Sequence, residues 1–266
     1  MMTEEHPNSS ESRRSKIVAA IPCFNEERFI GSVVIKAREY ADTVVVIDDG
    51  SEDGSAWIAE AAGAEVYRHG ENRGYGAAIR SCMERGRALG ADILVTIDGD
   101  GQHDPAEIPA VIRPIVDGEA DVVVGSRFLG HESGAPFYRR LGQRALTTFT
   151  NLGSGAKITD SQSGCRAYSE SALEKLDVSE DGMSVSSEIQ FALKQAGLRV
   201  VEVPIDVNYD DAVKRNPVGH GFNVMVRVVV LFILRHPLLS FGLPGLAFLG
   251  GGLAMGLRVI DIYSDT

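Results

Sequence analysis

Apolar and polar positions alternate between two rhythms through the first half of the chain. Short runs that are apolar nearly throughout read as buried strands: residues 16–21 (KIVAAI), 43–47 (TVVVI), 64–67, 93–97 (ILVTI) and 121–125 (DVVVG). Between them the apolar residues recur at helical spacing. Residues 26–41 carry Phe29, Ile30, Val33, Val34 and Ala37 on one face and predict a helix. Further helices are expected around 55–62, over 75–89, and from Asp104 to about residue 116, where Asp followed by Pro makes a good cap and first turn. Strands of this kind separated by helices predict an α/β fold, a mostly parallel sheet covered on both faces, of the nucleotide-binding type. Ligands of such sheets sit at the carboxyl ends of the strands. The second half is less regular: a helix over 137–152, a short strand at 166–168, a helix over 187–196 and an alternating strand over 199–207 (RVVEVPIDV).

The pattern changes near the C-terminus. Residues 237–257 (PLLSFGLPGLAFLGGGLAMGL) contain no charge and are long enough for a bilayer core, which needs about 20 apolar residues as helix. A buried helix of a soluble protein is the rival reading. Six glycines would weaken a soluble helix, whereas membrane helices tolerate them. Gly252 and Gly256 have the spacing that permits close pairing of helices and hence a homo-oligomer. The preceding residues 222–234 (FNVMVRVVVLFIL) suit an interfacial position, with Arg227 and Arg235 at lipid headgroups. The positive-inside rule then puts Lys214, Arg215 and the body before them in the cytoplasm.

Charge sharpens this division. The chain has 266 residues and a formal net charge of −11. Residues 212–266 hold five basic and two acidic side chains, a net of +3, so the rest carries −14. A strongly acidic body argues against general nucleic-acid binding. Cys23, Cys82 and Cys165 are far apart and odd in number, which predicts reduced thiols and neither zinc nor a disulfide framework. Residues 1–15 are polar and predict a flexible tail, with no signal peptide.

Acidic clusters follow two of the strands: Asp48-Asp49-Gly50-Ser51, and Asp98-Gly99-Asp100-Gly101-Gln102. Asp98 and Asp100 are two apart and point the same way if the backbone stays extended. Paired carboxylates at a strand end repel each other unless a cation intervenes, and a hard divalent ion held there would in turn hold a diphosphate. A single Asp-Gly is more simply a turn. Two such clusters at successive strand ends are harder to explain that way. The run GYGAAI at 74–79 lacks the third glycine and the position of a dinucleotide fingerprint, which argues against an NAD site.

These clusters belong to an ordered set: Ile21-Pro22-Cys23-Phe24-Asn25-Glu26, Asp48-Asp49-Gly50-Ser51, Asn72-Arg73-Gly74-Tyr75-Gly76, Asp98-Gly99-Asp100-Gly101-Gln102-His103, Gly125-Ser126-Arg127 and Ser163-Gly164-Cys165-Arg166. With them the chain resembles the family 2 glycosyltransferases of GT-A fold. It looks most like the polyprenyl-phosphate or dolichyl-phosphate hexose synthases, the dolichol-phosphate mannose synthase type. The segment from Tyr209 through Lys214-Arg215-Asn216-Pro217 to Gly221 is similar to archaeal members that feed protein glycosylation.

The resemblance implies a catalytic domain over 16–211, a basic amphipathic segment over 212–236 and a membrane helix over 237–260. It implies that Pro22, Phe24 and Glu26 line a nucleotide pocket, and that Asp48 or Asp49 contacts base and ribose. Asp98, Asp100 and Gln102 would hold Mg²⁺ or Mn²⁺ against the sugar nucleotide, with His103 as a neighbour. Catalysis would then centre on Asp98, Asp100 and Arg127. Arg127, Arg139, Arg140, Ser163, Arg166, Lys214 and Arg215 would meet the acceptor phosphate. Plainer readings stand beside these: Phe24 and Glu26 as a helix entry, Arg139 and Arg140 as a solvated helix face, Glu188 as a favourable charge at a helix start.

The implied reaction is inverting hexose transfer to a lipid phosphate at the cytoplasmic membrane face, from a sugar nucleotide for which UDP-glucose is the first expectation and GDP-mannose the alternative. A saccharide hydroxyl as acceptor would instead need a carboxylate base, for which Asp160 or Glu188 would serve. An inactive membrane-tethered scaffold is the non-enzymatic alternative.

Overall fold

The computed structural model describes residues 14–129, 137–207, 230, 233 and 238–264. Its centre is a seven-stranded sheet built from β1 (Ile17–Cys23), β2 (Thr43–Asp48), β3 (Glu65–Arg68), β4 (Ile93–Thr96), β5 (Val122–Ser126), β6 (Arg166–Ser169) and β7 (Val200–Pro204). The spatial order is 3-2-1-4-6-5-7. Only β6 runs against its neighbours β4 and β5; every other pairing is parallel. The expected mostly parallel α/β sheet is therefore present.

Through β1, β2, β4 and β5 both faces of the sheet are buried, because successive strand residues point to opposite sides and nearly all of them are apolar. Ala19, Ile21, Val44, Val46 and Val95 face one core. There they meet α1 (Ile30–Ala37), α2 (Ser55–Ala61) and α4 (Ile108–Val116). Val18, Ala20, Val45, Ile47 and Leu94 face a second core. That one is closed by α3 (Tyr75–Ala88), α6 (Glu170–Lys175) and α7 (Val185–Gln195). Helix α1 buries Ile30, Val33, Val34 and Ala37, the i, i+3, i+4, i+7 stripe of the sequence, but it is shorter than expected. Residues 26–29 form a turn whose Glu26 carbonyl accepts from Phe29 N and Ile30 N. Asp104 caps its helix as anticipated, its carboxylate accepting from Ala106 N at 3.2 Å. A 3₁₀ turn, Pro105–Glu107, precedes α4.

Strand register places the functional loops. Cys23 pairs with Asp48, and Asp48 with Arg68, so β1, β2 and β3 end level with one another. Because β6 is antiparallel to both β4 and β5, those two run in the same direction, and β6 begins where they end. The loops after β1, β2, β4, β5 and β7 and the loop before β6 consequently share one rim. The acidic motifs after β2 and β4, the Gly125-Ser126-Arg127 motif and the Ser163–Arg166 motif open onto that rim.

Further along lie α5 (Phe137–Ser154), a π-helical turn Leu238–Gly242, and α8 (Leu243–Ser264). Within α8, residues Pro244–Ile262 are long and apolar enough to cross a membrane, with mean hydropathy 1.5. Leu246, Phe248, Leu253 and Met255 along it are all at least 66% exposed. Lys214, Arg215 and nearly all of the interfacial segment 222–234 lie outside the described residues, as do residues 1–13.

Candidate active site

The loop after β1 and the loop after β2 are tied together by side chains. Asn25 takes a left-handed backbone (φ 56°). Its Oδ1 accepts from Glu52 N at 2.9 Å. Its own N–H donates to Ser51 Oγ at 2.9 Å, and Glu26 N donates to Ser55 Oγ at 2.7 Å. Pro22 and Glu26 are buried at this junction and Phe24 is half-buried.

Asp48 and Asp49, expected at base and ribose, are both buried and engaged within the protein. Asp48 Oδ1 accepts from Ser51 N, and Arg68 Nε lies 3.0 Å from its Oδ2. Asp49 anchors the next loop: Oδ1 accepts from Arg73 N at 2.9 Å and Oδ2 from Gly74 N at 2.8 Å. His69 Nδ1 lies 2.7 Å from Asp49 Oδ1, and its Nε2 lies 2.9 Å from Ser81 Oγ. This buried clamp was not visible in the sequence, where His69 is a lone histidine after a strand.

Past β4 the chain delivers Asp98 and Asp100 to the rim. Tyr75, His103 and Gly164 crowd the Asp98 carboxylate. Tyr75 Oη donates to Oδ1 at 2.9 Å. His103 Nε2 lies 3.7 Å from Oδ2. Gly164 leaves so little room that a Cβ there would stand 2.6 Å from Asp98 Cγ. The Gly164 carbonyl is itself held by Thr96 Oγ1 at 2.9 Å. Asp100 is fastened differently: Gln102 donates to it from its backbone N at 3.1 Å and from Nε2 at 2.6 Å. His103 is buried, and burial together with the Arg127 charge pushes its pKa down to about 4, against the opposing pull of Asp100 and Asp160. Its imidazole is thus neutral at pH 7. Its backbone also bridges to Val207, which brings the end of the described sheet domain onto the acidic loop.

Arg127 and Asp160 form a buried two-pronged ion pair, with Nε to Oδ2 at 2.6 Å and Nη2 to Oδ1 at 2.8 Å. Burial would raise the Asp160 pKa, but the hydrogen bonds and charge of Arg127 outweigh it and hold the carboxyl below its usual range. Glu202 braces the same loop by accepting from Thr159 N and Asp160 N. Glu188 accepts from Ser179 N, Ser179 Oγ and Glu180 N, so it secures a loop from the first turn of α7. Ser163 and Arg166 are buried below the rim. The Arg166 guanidinium donates to the carbonyls of Ser163 and Ser161. Arg139 and Arg140 lie in the first turn of α5, and Arg140 is half-buried. The structure thus brings together Asp98, Asp100, Gln102, His103 and Arg127, while Lys214 and Arg215 are outside the described residues.

The donors on the acidic loop are carboxylate and amide oxygens, the type a hard divalent cation takes. Among the described residues, no group of three or more His, Cys, Asp or Glu side chains is arranged to hold a metal by itself. This fits Mg²⁺ or Mn²⁺ that draws its remaining ligands from water and a substrate diphosphate, and it does not fit a closed structural metal site.

A parallel-rich sheet with acidic loops at its strand ends is an α/β arrangement in which ligands bind at the carboxyl ends of the strands. The family model described as Glycosyl transferase family 2 matches residues 18–177, and the chain belongs to that family. It is 33% identical over 240 residues to a UDP-N-acetylglucosamine–dolichyl-phosphate N-acetylglucosaminyltransferase of Methanococcus voltae, covering 82% of this chain and 94% of that one. It is 30% identical over 203 residues to the polyprenol monophosphomannose synthase of Mycolicibacterium smegmatis, covering 71% and 76%. Among solved structures, glucosyl-3-phosphoglycerate synthase of Mycobacterium tuberculosis in complex with Mn²⁺, UDP-glucose and phosphoglyceric acid superposes with TM-score 0.66. That match has 23% identity and covers 83% of this chain and 79% of the other, and it shares the GT-A fold. The enzyme class and fold expected from the motifs are therefore borne out.

Proposed function

We propose that this glycosyltransferase moves a hexose from a sugar nucleotide to a polyprenyl or dolichyl phosphate at the cytoplasmic face of a membrane, with inversion at the anomeric carbon. The observation that carries this reading is the state of the two carboxylates that a hydroxyl acceptor would need as base. Asp160 is locked to Arg127 with a depressed pKa, and Glu188 is spent on the 179–180 loop. A carboxylate in either condition is a poor proton acceptor. A phosphate acceptor is anionic at pH 7 and attacks without one. Its oxygen forms the bond to the anomeric carbon as the nucleoside diphosphate leaves from the opposite face, giving a β-glycosyl phosphate from an α-linked donor.

In this reading the sugar nucleotide lies along the rim, with its nucleoside end toward Pro22, Phe24 and Glu26 and its diphosphate at Asp98 and Asp100. Asp98 and Asp100, with Gln102 supporting Asp100, would hold Mg²⁺ or Mn²⁺. That ion, when bound, offsets the charge that develops on the departing diphosphate. Asp48 and Asp49 shape the nucleoside end by fixing the loops around it. Arg127 meets the acceptor phosphate from the rim beside Asp160. Arg140 and the basic pair Lys214-Arg215 supply further positive charge. Lys214 is seven residues beyond Val207, a reach of roughly 25 Å at most from the acidic loop. The α8 helix would set the domain at the bilayer that carries the acceptor. About 22 residues of helix at ~1.5 Å each nearly match the hydrocarbon thickness of about 30 Å.

UDP-glucose remains the proposed donor. The similarity to the Methanococcus voltae enzyme supports a uridine nucleotide and makes UDP-N-acetylglucosamine the second arm of any test. The test is transfer of radiolabelled sugar from UDP-glucose, UDP-N-acetylglucosamine and GDP-mannose, with Mn²⁺, to polyprenyl phosphate or to an oligosaccharide. Label extracted with the lipid supports the proposal. Label on the oligosaccharide alone overturns it, and silence with every donor would favour an inactive scaffold.

A further inference from the structure

We infer that Tyr75 is a positioning residue that fixes the orientation of the Asp98 carboxylate for the metal–diphosphate complex. This rests on the metal role proposed for Asp98. Tyr75 is the first residue of α3, and its hydroxyl reaches across the rim to donate to Asp98 Oδ1 at 2.9 Å. The reach is built into the backbone. Asp49 receives the N–H groups of Arg73 and Gly74 on one side. On the other, Gly76 N donates to the Asp181 carbonyl at 2.8 Å. Gly74 has φ +97°, and a Cβ at Gly74 or Gly76 would collide with the backbone carbonyls of Asp181 or Glu180. The turn that carries Tyr75 is therefore pinned at both ends, and glycine is required on each side of it. The tyrosine ring packs on the second core, against the cluster that contains Ile79 and Tyr168. Behind it lies a cavity with room for about one water molecule, lined by Tyr75, Thr96, Gly164, Arg166 and Tyr168. The ring has little freedom, so the hydroxyl is held in place.

With Oδ1 engaged by Tyr75, and with Gly164 and His103 against the rest of the group, the Asp98 carboxylate keeps one orientation. Ligating carboxylates generally need such a partner, and losing it typically weakens metal affinity by about 10–100-fold. The residue is otherwise easy to pass over, since the sequence motif around it is dominated by glycine.

Tyr75→Phe keeps the ring and removes only the hydroxyl. Binding of Mn²⁺ to the full-length protein in detergent, with UDP present, is measured by electron paramagnetic resonance of the free ion, alongside the melting temperature without metal. We expect the Mn²⁺ dissociation constant to rise about tenfold or more while the metal-free melting temperature stays near wild type. Transfer activity should recover substantially at saturating Mn²⁺. Unchanged Mn²⁺ affinity in Tyr75→Phe, with normal binding by wild type, overturns the positioning role. Failure of the wild-type protein to bind Mn²⁺ with UDP overturns the underlying metal role instead. If Tyr75→Phe does not fold, Tyr75→Leu removes the hydroxyl without adding bulk or a new donor and is judged by the same constant.

Discussion

Replacing Gly164 with alanine isolates the contribution of one carboxylate position. The backbone at Gly164 lies outside the left-handed range, so alanine introduces no conformational strain. The three atoms nearest to the new Cβ all belong to Asp98. The new Cβ would run into Asp98 Oδ2 and stand 2.6 Å from both Cγ and Oδ1, whereas ordinary contact begins at 3.4 Å. The carboxylate must therefore retreat by at least about 0.8 Å, breaking its alignment with Tyr75. The yielding group is the end of a short side chain on the rim, so folding should be little affected. Catalysis should not be spared, since a misplacement of about 1 Å in a positioning group can cost about 100-fold. That corresponds to roughly 2.7 kcal/mol of transition-state stabilisation. The assay is kcat/KM for sugar transfer to polyprenyl phosphate over a range of Mn²⁺, with thermal melting as the control. A stable Gly164→Ala protein with wild-type kcat/KM would refute the claim that the Asp98 position controls the reaction.

Other consequences follow from the buried network. Arg127→Ala leaves the buried Asp160 charge without its ion-pair partner and should destabilise the fold by about 3–5 kcal/mol in denaturant titrations. In wild type the depressed Asp160 pKa contributes stability above the ordinary carboxyl pKa of about 3.9, and that stability is lost as pH falls through the lower folded value. The acid-unfolding midpoint of Arg127→Ala should accordingly move to higher pH; an unchanged midpoint contradicts the pairing. Asp49→Ala leaves the N–H groups of Arg73 and Gly74 without their acceptor, at about 1–3 kcal/mol for each that stays buried, and should raise amide exchange across residues 72–76. Ending the chain after residue 236 should release the protein from membranes in a flotation assay, and retention of the truncated form would locate the anchor elsewhere.

The sheet was legible because β1, β2, β4 and β5 are apolar on both faces, which leaves them no alternative to positions inside the sheet. Helix α6 escaped notice: six residues are too few to show a period, and its only signal was Ser169, whose hydroxyl accepts from Ala172 N. The antiparallel insertion of β6 was equally hidden, because four residues carry no information about direction. The acidic motifs fall on the rim, as their places directly after β2 and β4 imply. What they could not reveal is which oxygens point outward. Asp48 and Asp49 look like ligands of a nucleotide in the sequence, yet they are held in buried contacts by Ser51, Arg68, His69 and the 73–74 backbone. Arg166 likewise sits next to a motif of the rim but spends its charge on the carbonyls beneath it. Such partnerships arise between residues far apart in the chain, and only the fold brings them together.

The central claim is that the acceptor is a lipid phosphate. Its most direct test is mass spectrometry with nuclear magnetic resonance on the product formed by the full-length protein in detergent, given a UDP-hexose, Mn²⁺ and polyprenyl phosphate. The account predicts a polyprenyl monophosphate carrying one hexose in β linkage. A hexose joined to a saccharide hydroxyl, or release of free hexose with the lipid phosphate unmodified, would contradict it.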